Sequence, residues 1–138
     1  MKLIVCISEE KGLLFNGRRQ SQDAVLRQKV LALSGGSLFL NEYSARQFAS
    51  QEGLTVREDF CAAAGQDDFC FFEGETVPLA QADELYLFCW NRRYPADSFL
   101  DWQTVENDFE PVHTENFAGS SHDKITLTVY RRKGGSAR

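Results

Sequence analysis

The chain has 138 residues, of which 43% are hydrophobic and 12% aromatic, with a formal net charge of -5 and a pI near 5.0. This length and composition predict one globular domain with a hydrophobic core and exclude a disordered chain. The acidic charge disfavours double-stranded nucleic acid as a partner, because such binding needs phosphate neutralisation. No apolar run approaches the roughly 20 residues of a membrane-spanning helix, so no membrane association is expected.

The first half of the chain alternates strands and helices. A continuous apolar run predicts a strand buried on both faces at Lys2–Ser8. This run is too short for a signal peptide and acidic residues follow it, so we expect a cytoplasmic protein. Gln22–Leu33 is predicted to be a helix, because apolar residues recur there at helical spacing. A second buried strand is predicted at Ser37–Leu40, and Asn41 caps a following helix that Gly53 ends.

The second half is predicted to be mostly strands. A short helix is expected at Glu58–Ala64, followed by buried strands at Phe69–Phe72 and Glu84–Trp90 and by late strands at Phe109–Thr114 and Lys124–Arg132. The early connections contain helices, which implies parallel strands, whereas the last two strands have no helix between them and should form a hairpin. The sequence therefore predicts an α/β fold with a mixed, mainly parallel sheet flanked by helices, and a C-terminal antiparallel hairpin. We expect a single domain over 1–133 and a flexible tail at 134–138.

The cysteines and histidines show no metal-ligand pattern. No two of the four cysteines form a C-x-x-C pair, and most lie in apolar runs: Cys6, Cys61, Cys70 and Cys89. We expect reduced thiols in the core. His113 and His122 are not spaced as a ligand pair, so no metal cofactor is predicted. The sequence carries no signal for the oligomeric state.

Several strings of the chain resemble the dihydrofolate reductase fold family. KLIVCISEEKGLLFNG resembles the first strand and the start of the loop over the nicotinamide, and SQDAVLRQKV resembles the helix that carries the catalytic acid. GGSLFLNEYSARQF is similar to the second strand and the nucleotide-contacting helix. ADELYLFCWNRRYPADSF and FEPVHTENFAGSSHDKITLTVYRRK resemble a late strand with its loop and the closing hairpin. The resemblance implies a dihydrofolate-reductase-like fold of reduced size, NADPH as cofactor and a pterin-like or nucleotide ligand.

The resemblance also implies a set of site residues. Asp23 would be the catalytic acid. The expected cofactor-binding residues are Asn16, Gly17, Asn41, Ser44 and Gly74, and the expected ligand-binding residues are Cys6, Arg18, Arg19 and Phe88. Three departures weaken the NADPH site: Glu42 stands where the family has a phosphate-contacting Arg, Glu73 where it has a Gly, and Phe88 where a Thr supports the acid.

Two hypotheses about function follow. The first is NADPH-dependent reduction, or binding, of a pterin-like or nucleotide ligand, with weak affinity for NADPH. The second is a non-catalytic interaction or regulatory protein on the same scaffold. Short bacterial proteins similar to this one also bear the name ribonuclease Z, but that activity needs a histidine-rich two-zinc site that two scattered histidines cannot supply.

Asp23 has two interpretations on the residues alone. It shares a helical stripe with Leu26 and Val30, which predicts a partly buried carboxyl group with a raised pKa, suited to donating a proton. Alternatively, it is an acid in the first turn of a helix that interacts favourably with the helix dipole.

Overall fold

The computed structural model describes residues 1–48 and 51–134, so the predicted tail beyond residue 134 lies outside the described residues. In chain order the strands and helices are β1 (Lys2–Ile7), β2 (Gly12–Phe15), β3 (Arg18–Arg19), α1 (Ala24–Ser34), β4 (Leu38–Leu40), α2 (Glu42–Ala45), β5 (Leu54–Val56), α3 (Phe60–Ala63), β6 (Phe69–Phe71), β7 (Glu84–Cys89), β8 (Ser98–Phe99), α4 (Trp102–Asp108), β9 (Phe109–Phe117) and β10 (Ile125–Arg132). Short 3-10 turns occupy Arg46–Phe48 and Leu79–Gln81.

The main sheet has seven strands in the order β5-β4-β6-β1-β7-β10-β9. The five strands from β5 to β7 are parallel to their neighbours, and β10 pairs antiparallel with both β7 and β9. The predicted mixed, mainly parallel sheet with a C-terminal antiparallel hairpin is therefore confirmed. The four apolar segments that were predicted to be buried strands form β1, β4, β6 and β7.

Strand β1 lies at the centre of the sheet because its side chains are apolar on both faces. Leu3, Val5 and Ile7 belong to one core cluster, and Ile4 belongs to the other. Helix α1 buries Leu26 and Val30 against the Ile4 side, whereas α4 contributes Val105 to the Leu3 side. The two layers of helix fix the sheet between them, with the carboxyl ends of β1 and β7 at one edge.

A second, three-stranded sheet in the order β3-β2-β8 was not predicted from the sequence. Its β2–β3 hairpin turns at Asn16 and Gly17, whose φ angles are 53° and 72°. Positive φ at both central residues is the signature of a two-residue hairpin turn. The hairpin places Arg19 beside the carboxyl ends of β1, β6 and β7, near Cys6, Glu73 and Trp90.

Three predicted helices differ from the structure at their bounds, and one helix was not predicted. The helix predicted between the Asn41 cap and Gly53 is α2, which is limited to Glu42–Ala45 and is followed by the 3-10 turn at Arg46–Phe48. The helix predicted at Gln22–Leu33 is α1, and Asp23 precedes it as the N-cap instead of lying in its first turn. The short helix predicted at Glu58–Ala64 is limited to α3. Helix α4, between β8 and β9, was not predicted, because it has only 7 residues and its apolar stripe is short.

Gly53 provides a test of the packing between the α1–β4 turn and the segment before β5. Its φ is +86°, and a Cβ there would lie 2.1 Å from the carbonyl oxygen of Gly36. Gly17 has a φ of +72° but no atom within 4 Å of such a Cβ. We expect Gly17→Ala to cost about 1–2 kcal/mol of unfolding free energy, through backbone strain alone.

Gly53→Ala should cost about 1–3 kcal/mol more than Gly17→Ala, because the methyl group also displaces backbone. Urea denaturation of the two variants measures the difference. Equal losses of unfolding free energy in the two variants would show that the backbone at Gly36 shifts at little cost to make room for the methyl group.

Candidate functional site

Asp23 is the N-cap of α1. Its backbone is extended, and its Oδ1 accepts hydrogen bonds from the backbone N–H groups of Val25 at 2.9 Å and Leu26 at 3.2 Å. These N–H groups have no partner within the helix, so a side-chain oxygen placed here satisfies them. The helix therefore begins at this residue for a local reason.

The β9–β10 loop closes over the same carboxylate. The backbone N–H groups of Ser120 and Ser121 donate to it at 3.0 and 2.8 Å, and the Ser121 hydroxyl donates at 3.1 Å. His122 Nδ1 lies 3.0 Å from Oδ2. Gly119 allows this approach, because a Cβ at that position would lie 2.4 Å from Oδ2. A carboxylate near the start of the chain thus holds a loop near its end.

These contacts correct the expectation for Asp23. The side chain is 2% exposed, which is fuller burial than predicted. Burial by itself raises the pKa of the Asp23 carboxyl, but hydrogen bonds from Ser121, His122, Ser120 and Leu26 outweigh it and hold the pKa well below its usual range. The predicted raised pKa is wrong. A carboxylate that stays ionised is not suited to donating a proton near neutral pH.

His122 links Asp23 to two hydroxyl groups. The imidazole is 4% exposed and stacks on Trp90, with ring centroids 4.6 Å apart. Its Nε2 lies 2.9 Å from the Tyr94 hydroxyl and 3.1 Å from Ser21 Oγ. This role of His122 was not predicted from the sequence. No local pattern points to it, because Tyr94, Asp23 and Ser21 lie 28, 99 and 101 residues away.

Glu73 and Arg19 form a second polar cluster, across the cleft between β6 and the hairpin. Arg19 Nε and Nη2 donate to the two Glu73 oxygens at 2.9 and 3.0 Å. Ser44 Oγ donates to the same carboxylate at 2.8 Å, and Gln47 Nε2 donates at 3.2 Å. The Arg19 guanidinium also lies 4.4 Å from the ring centre of Tyr43. This bidentate, four-donor arrangement is among the stronger side-chain interactions available to a protein.

Little space remains beside this ion pair. The cavity there has a volume of about 20 Å³, enough for about one water molecule. Its walls include Cys6, Ser21, Gln20, Glu73 and Gly74. Burial, followed by the Glu73 charge, raises the pKa of the Cys6 thiol well above its usual value, so the thiol stays protonated.

A larger, open groove lies on the outer side of the hairpin. We call it the hairpin groove; it has a volume of about 490 Å³ and is lined by Phe15, Asn16, Arg18, Arg19, Gln20, Tyr94 and Pro95. The volume is within the range of small-molecule sites. Arg19 and Gln20 belong to both the groove and the small cavity, so the two spaces share a wall.

The structure brings some predicted site residues together and separates others. Cys6, Arg19 and Gly74 line the small cavity, and Ser44 reaches it through Glu73. Asn16 and Arg18 line the hairpin groove.

The remaining predicted site residues lie in a turn, at a helix cap and in the core. Gly17 is exposed in the hairpin turn. Asn41 Oδ1 accepts a hydrogen bond from the Ser44 N–H at 2.9 Å and caps α2. Phe88 is fully buried in the core, edge-to-face with Phe117. Their expected roles in binding stay predictions.

Residues 1–48 and 51–134 contain neither a metal-binding cluster nor a membrane-spanning helix. No group of three or more histidine, cysteine, aspartate or glutamate side chains in these ranges is arranged to hold a metal ion. No helix among them is both long and apolar enough to cross a membrane.

The comparisons with known proteins identify the fold. No protein-family model matches the chain, and no curated protein matches it in sequence. Among solved structures, a dihydrofolate reductase from Enterococcus faecalis, complexed with NADP(H) and RAB-propyl, is similar with a TM-score of 0.63 and 13% identity. The match covers 96% of this chain and 95% of that one. The chain therefore has a dihydrofolate-reductase-like fold, as the sequence resemblance implied.

Acid titration tests the role of Asp23. The unfolded chain takes up a proton near the ordinary Asp pKa of 3.8, whereas the folded chain keeps Asp23 ionised to lower pH. The stability that Asp23 provides is therefore complete above about pH 5 and is lost as the pH falls below about 4. Asp23→Asn should cost about 3–5 kcal/mol near pH 7, because it breaks a buried charged network. It should also lose less further stability between pH 5 and 3 than the wild type does.

Urea denaturation at pH 7, 5, 4 and 3 measures both effects. Asp101→Asn is the matched control, because Asp101 also caps a helix but is exposed. It should cost much less at pH 7. Parallel acid profiles for Asp23→Asn and the wild type would contradict the lowered pKa.

Proposed function

We propose that this protein binds a small aromatic anion, of the pterin-like or nucleotide class, in the hairpin groove, and that it does not reduce this ligand with NADPH. The observation that carries the proposal is the Arg19–Glu73 ion pair, because it fills the cleft where the resemblance to dihydrofolate reductases would place the cofactor and leaves the hairpin groove as the larger space beside it. The fold alone leaves the activity open.

The residues of the cleft do not fit NADPH. In the family, a pair of glycines after the middle strand lets the backbone approach the cofactor; here the first of that pair is Glu73, whose carboxylate is held by four hydrogen bonds. A dinucleotide in this position would have to separate Arg19 from Glu73 and bring its own negative charge beside a carboxylate. The remaining space of about 20 Å³ is also far too small for a nicotinamide ring.

The proton needed for pterin reduction also lacks a source at the expected position. Asp23 accepts hydrogen bonds on both oxygens from donors of α1 and of the β9–β10 loop, and its pKa is lowered. A general acid needs a pKa near the working pH. The geometry therefore favours binding over reduction.

The hairpin groove has the features of a site for an aromatic anion. Phe15, which is 43% exposed, and the Tyr94 ring supply apolar and aromatic surface. Arg18 supplies positive charge and belongs to none of the ion pairs among the described residues. A guanidinium can hold a carboxylate or a phosphate through two parallel hydrogen bonds.

The affinity for NADPH tests whether the Arg19–Glu73 ion pair closes the cleft to this cofactor. The wild type should bind NADPH weakly, with a dissociation constant well above the micromolar range. Glu73→Gly restores the glycine pair and removes the adverse charge, which is worth about 1–3 kcal/mol beside a phosphate, so it should tighten binding tenfold or more. Isothermal titration calorimetry measures both constants.

Glu73→Gln separates charge from size, because it keeps the side-chain volume while removing the charge. It should give a smaller gain than Glu73→Gly. Submicromolar affinity in the wild type would contradict the closed cleft.

A thermal-shift screen with folates, nucleotides, NADPH and NADH tests the groove. A ligand at 100 times its dissociation constant stabilises the folded chain by about 2.7 kcal/mol, a shift of several degrees. We expect a folate or a nucleotide to give such a shift, and Arg18→Gln to weaken the binding tenfold or more.

Arg57→Gln is the matched control, because Arg57 is an exposed arginine that pairs with Asp59 and does not line the groove. It should leave the shift intact. If no compound in the screen raised the melting temperature, the result would favour the alternative of a non-catalytic interaction or regulatory protein.

A further inference from the structure

We propose that Ser21, His122 and Asp23 form a nucleophilic triad that can transfer the acyl group of a small carboxylic ester to Ser21 and then to water. The inference does not depend on ligand binding in the hairpin groove. It rests on the continuous hydrogen-bonded path from a half-buried hydroxyl, through an imidazole, to a buried carboxylate.

The order of atoms along this path is that of a serine nucleophile with its base. Ser21 Oγ lies 3.1 Å from His122 Nε2, and His122 Nδ1 lies 3.0 Å from Asp23 Oδ2. Both distances are within hydrogen-bond reach, which is the geometric requirement for a nucleophile, its base and the group that orients the base. The three residues come from the segment before α1 and from the β9–β10 loop.

Asp23 determines the tautomer of His122. Because the carboxylate is ionised and can only accept at Oδ2, it favours the proton of the imidazole on Nδ1. Nε2 is then left with its lone pair and can accept the proton of a hydroxyl group. The Ser120 and Ser121 donors hold the carboxylate in place, and Trp90 stacks on the ring, so the imidazole is fixed in orientation. Asp23 is thus a positioning residue.

Tyr94 shares Nε2 with Ser21. Its hydroxyl lies 2.9 Å from Nε2 and 3.4 Å from Ser21 Oγ. Since Nε2 has one lone pair, one hydroxyl donates to it at a time, and the other is free to accept. When the Tyr94 hydroxyl donates to Ser21 Oγ, the Ser21 proton is the one available to Nε2, so we assign Ser21 as the nucleophile. Because the small cavity holds only about one water molecule, the ester has to approach from the side of the hairpin groove, which shares Arg19 and Gln20 with that cavity.

The small cavity provides a place for the water that completes the reaction. It has room for about one water molecule, and Ser21 and Gln20 both line it. Gln20 Oε1 is buried and accepts no hydrogen bond within the described part of the chain. An unsatisfied buried acceptor costs free energy, so a water that donates to this oxygen is favoured.

The reaction balances with water as the second reactant. Ser21 Oγ bonds to the ester carbonyl carbon while its proton moves to His122 Nε2. The carbon–oxygen bond to the alcohol then breaks, and the alcohol leaves with that proton. Water next attacks the acyl group on Ser21, gives one proton to Nε2, and releases the carboxylic acid as the proton returns to Oγ. No electron carrier is needed.

A fluorophosphonate probe tests the nucleophile directly, because it labels an activated serine without needing a matched substrate. We expect the purified wild-type chain to be labelled at Ser21, at least 100-fold faster than at the exposed, remote Ser37, as mapped by peptide mass spectrometry. Ser21→Ala should abolish this label. Ser37→Ala, the control, should leave it unchanged.

The base is tested by His122→Gln, which should slow the labelling of Ser21 by 100-fold or more, in the range of general base catalysis. The same order of rates should appear in the hydrolysis of p-nitrophenyl acetate, measured by release of p-nitrophenol. If His122→Gln does not fold, the ratio of Ser21 to Ser37 labelling in the wild type decides the question. Ser21 labelled no faster than Ser37, or label on Tyr94 or Ser121 instead, would overturn the proposal.

Discussion

The buried carboxylate of Asp23 is the interaction on which the arrangement of the site depends. It satisfies the free N–H groups at the start of α1 and, at the same time, the N–H groups of a loop that lies 97 to 98 residues further along the chain. A buried charge is stabilising only when such donors compensate its lost hydration. Here they do, so one side chain determines where a helix begins, where the last hairpin docks and how His122 is oriented.

The partly buried ion pair of Arg19 and Glu73 fills the neighbouring cleft. Arg19 and Glu73 satisfy each other, and Ser44 and Gln47 complete the shell. The Glu73 carboxylate is thus satisfied by donors of the protein itself, and the cavity beside it has room for about one water molecule. The chemistry of this chain is therefore better sought at the edges of the cleft, where hydroxyls and an imidazole meet.

The fold was predictable from the sequence where local signals were strong. Continuous apolar runs identify the central strands because only a doubly covered strand is apolar on both faces, and the Asn41 cap marks where α2 begins. Elements of two residues, such as β3 and β8, show no periodicity at all. The only sequence signal for helix α4 is Asp101, which caps it.

The site was less predictable, because its contacts join distant parts of the chain. Arg19 and Glu73 are 54 residues apart, and Asp23 and His122 are 99 apart, so no spacing rule connects them. The prediction that Asp23 faces inward is confirmed, whereas the prediction that its pKa is raised is wrong. Sequence periodicity indicates which residues turn inward, whereas the pKa depends on donors that only the folded chain provides.

The long separation between Asp23 and its loop also has a consequence for synthesis of the chain. Helix α1 can form its local cap as soon as Leu26 has been made, but the carboxylate cannot gain its remaining donors until residue 122 has left the ribosome. The central strand β1 likewise cannot form its hydrogen bonds to β6 and β7 until these strands, which follow it by more than 60 residues, have been made. Contacts so distant in sequence are slow to form because a large loop must close first. The N-terminal third of this protein is therefore made early and completed last.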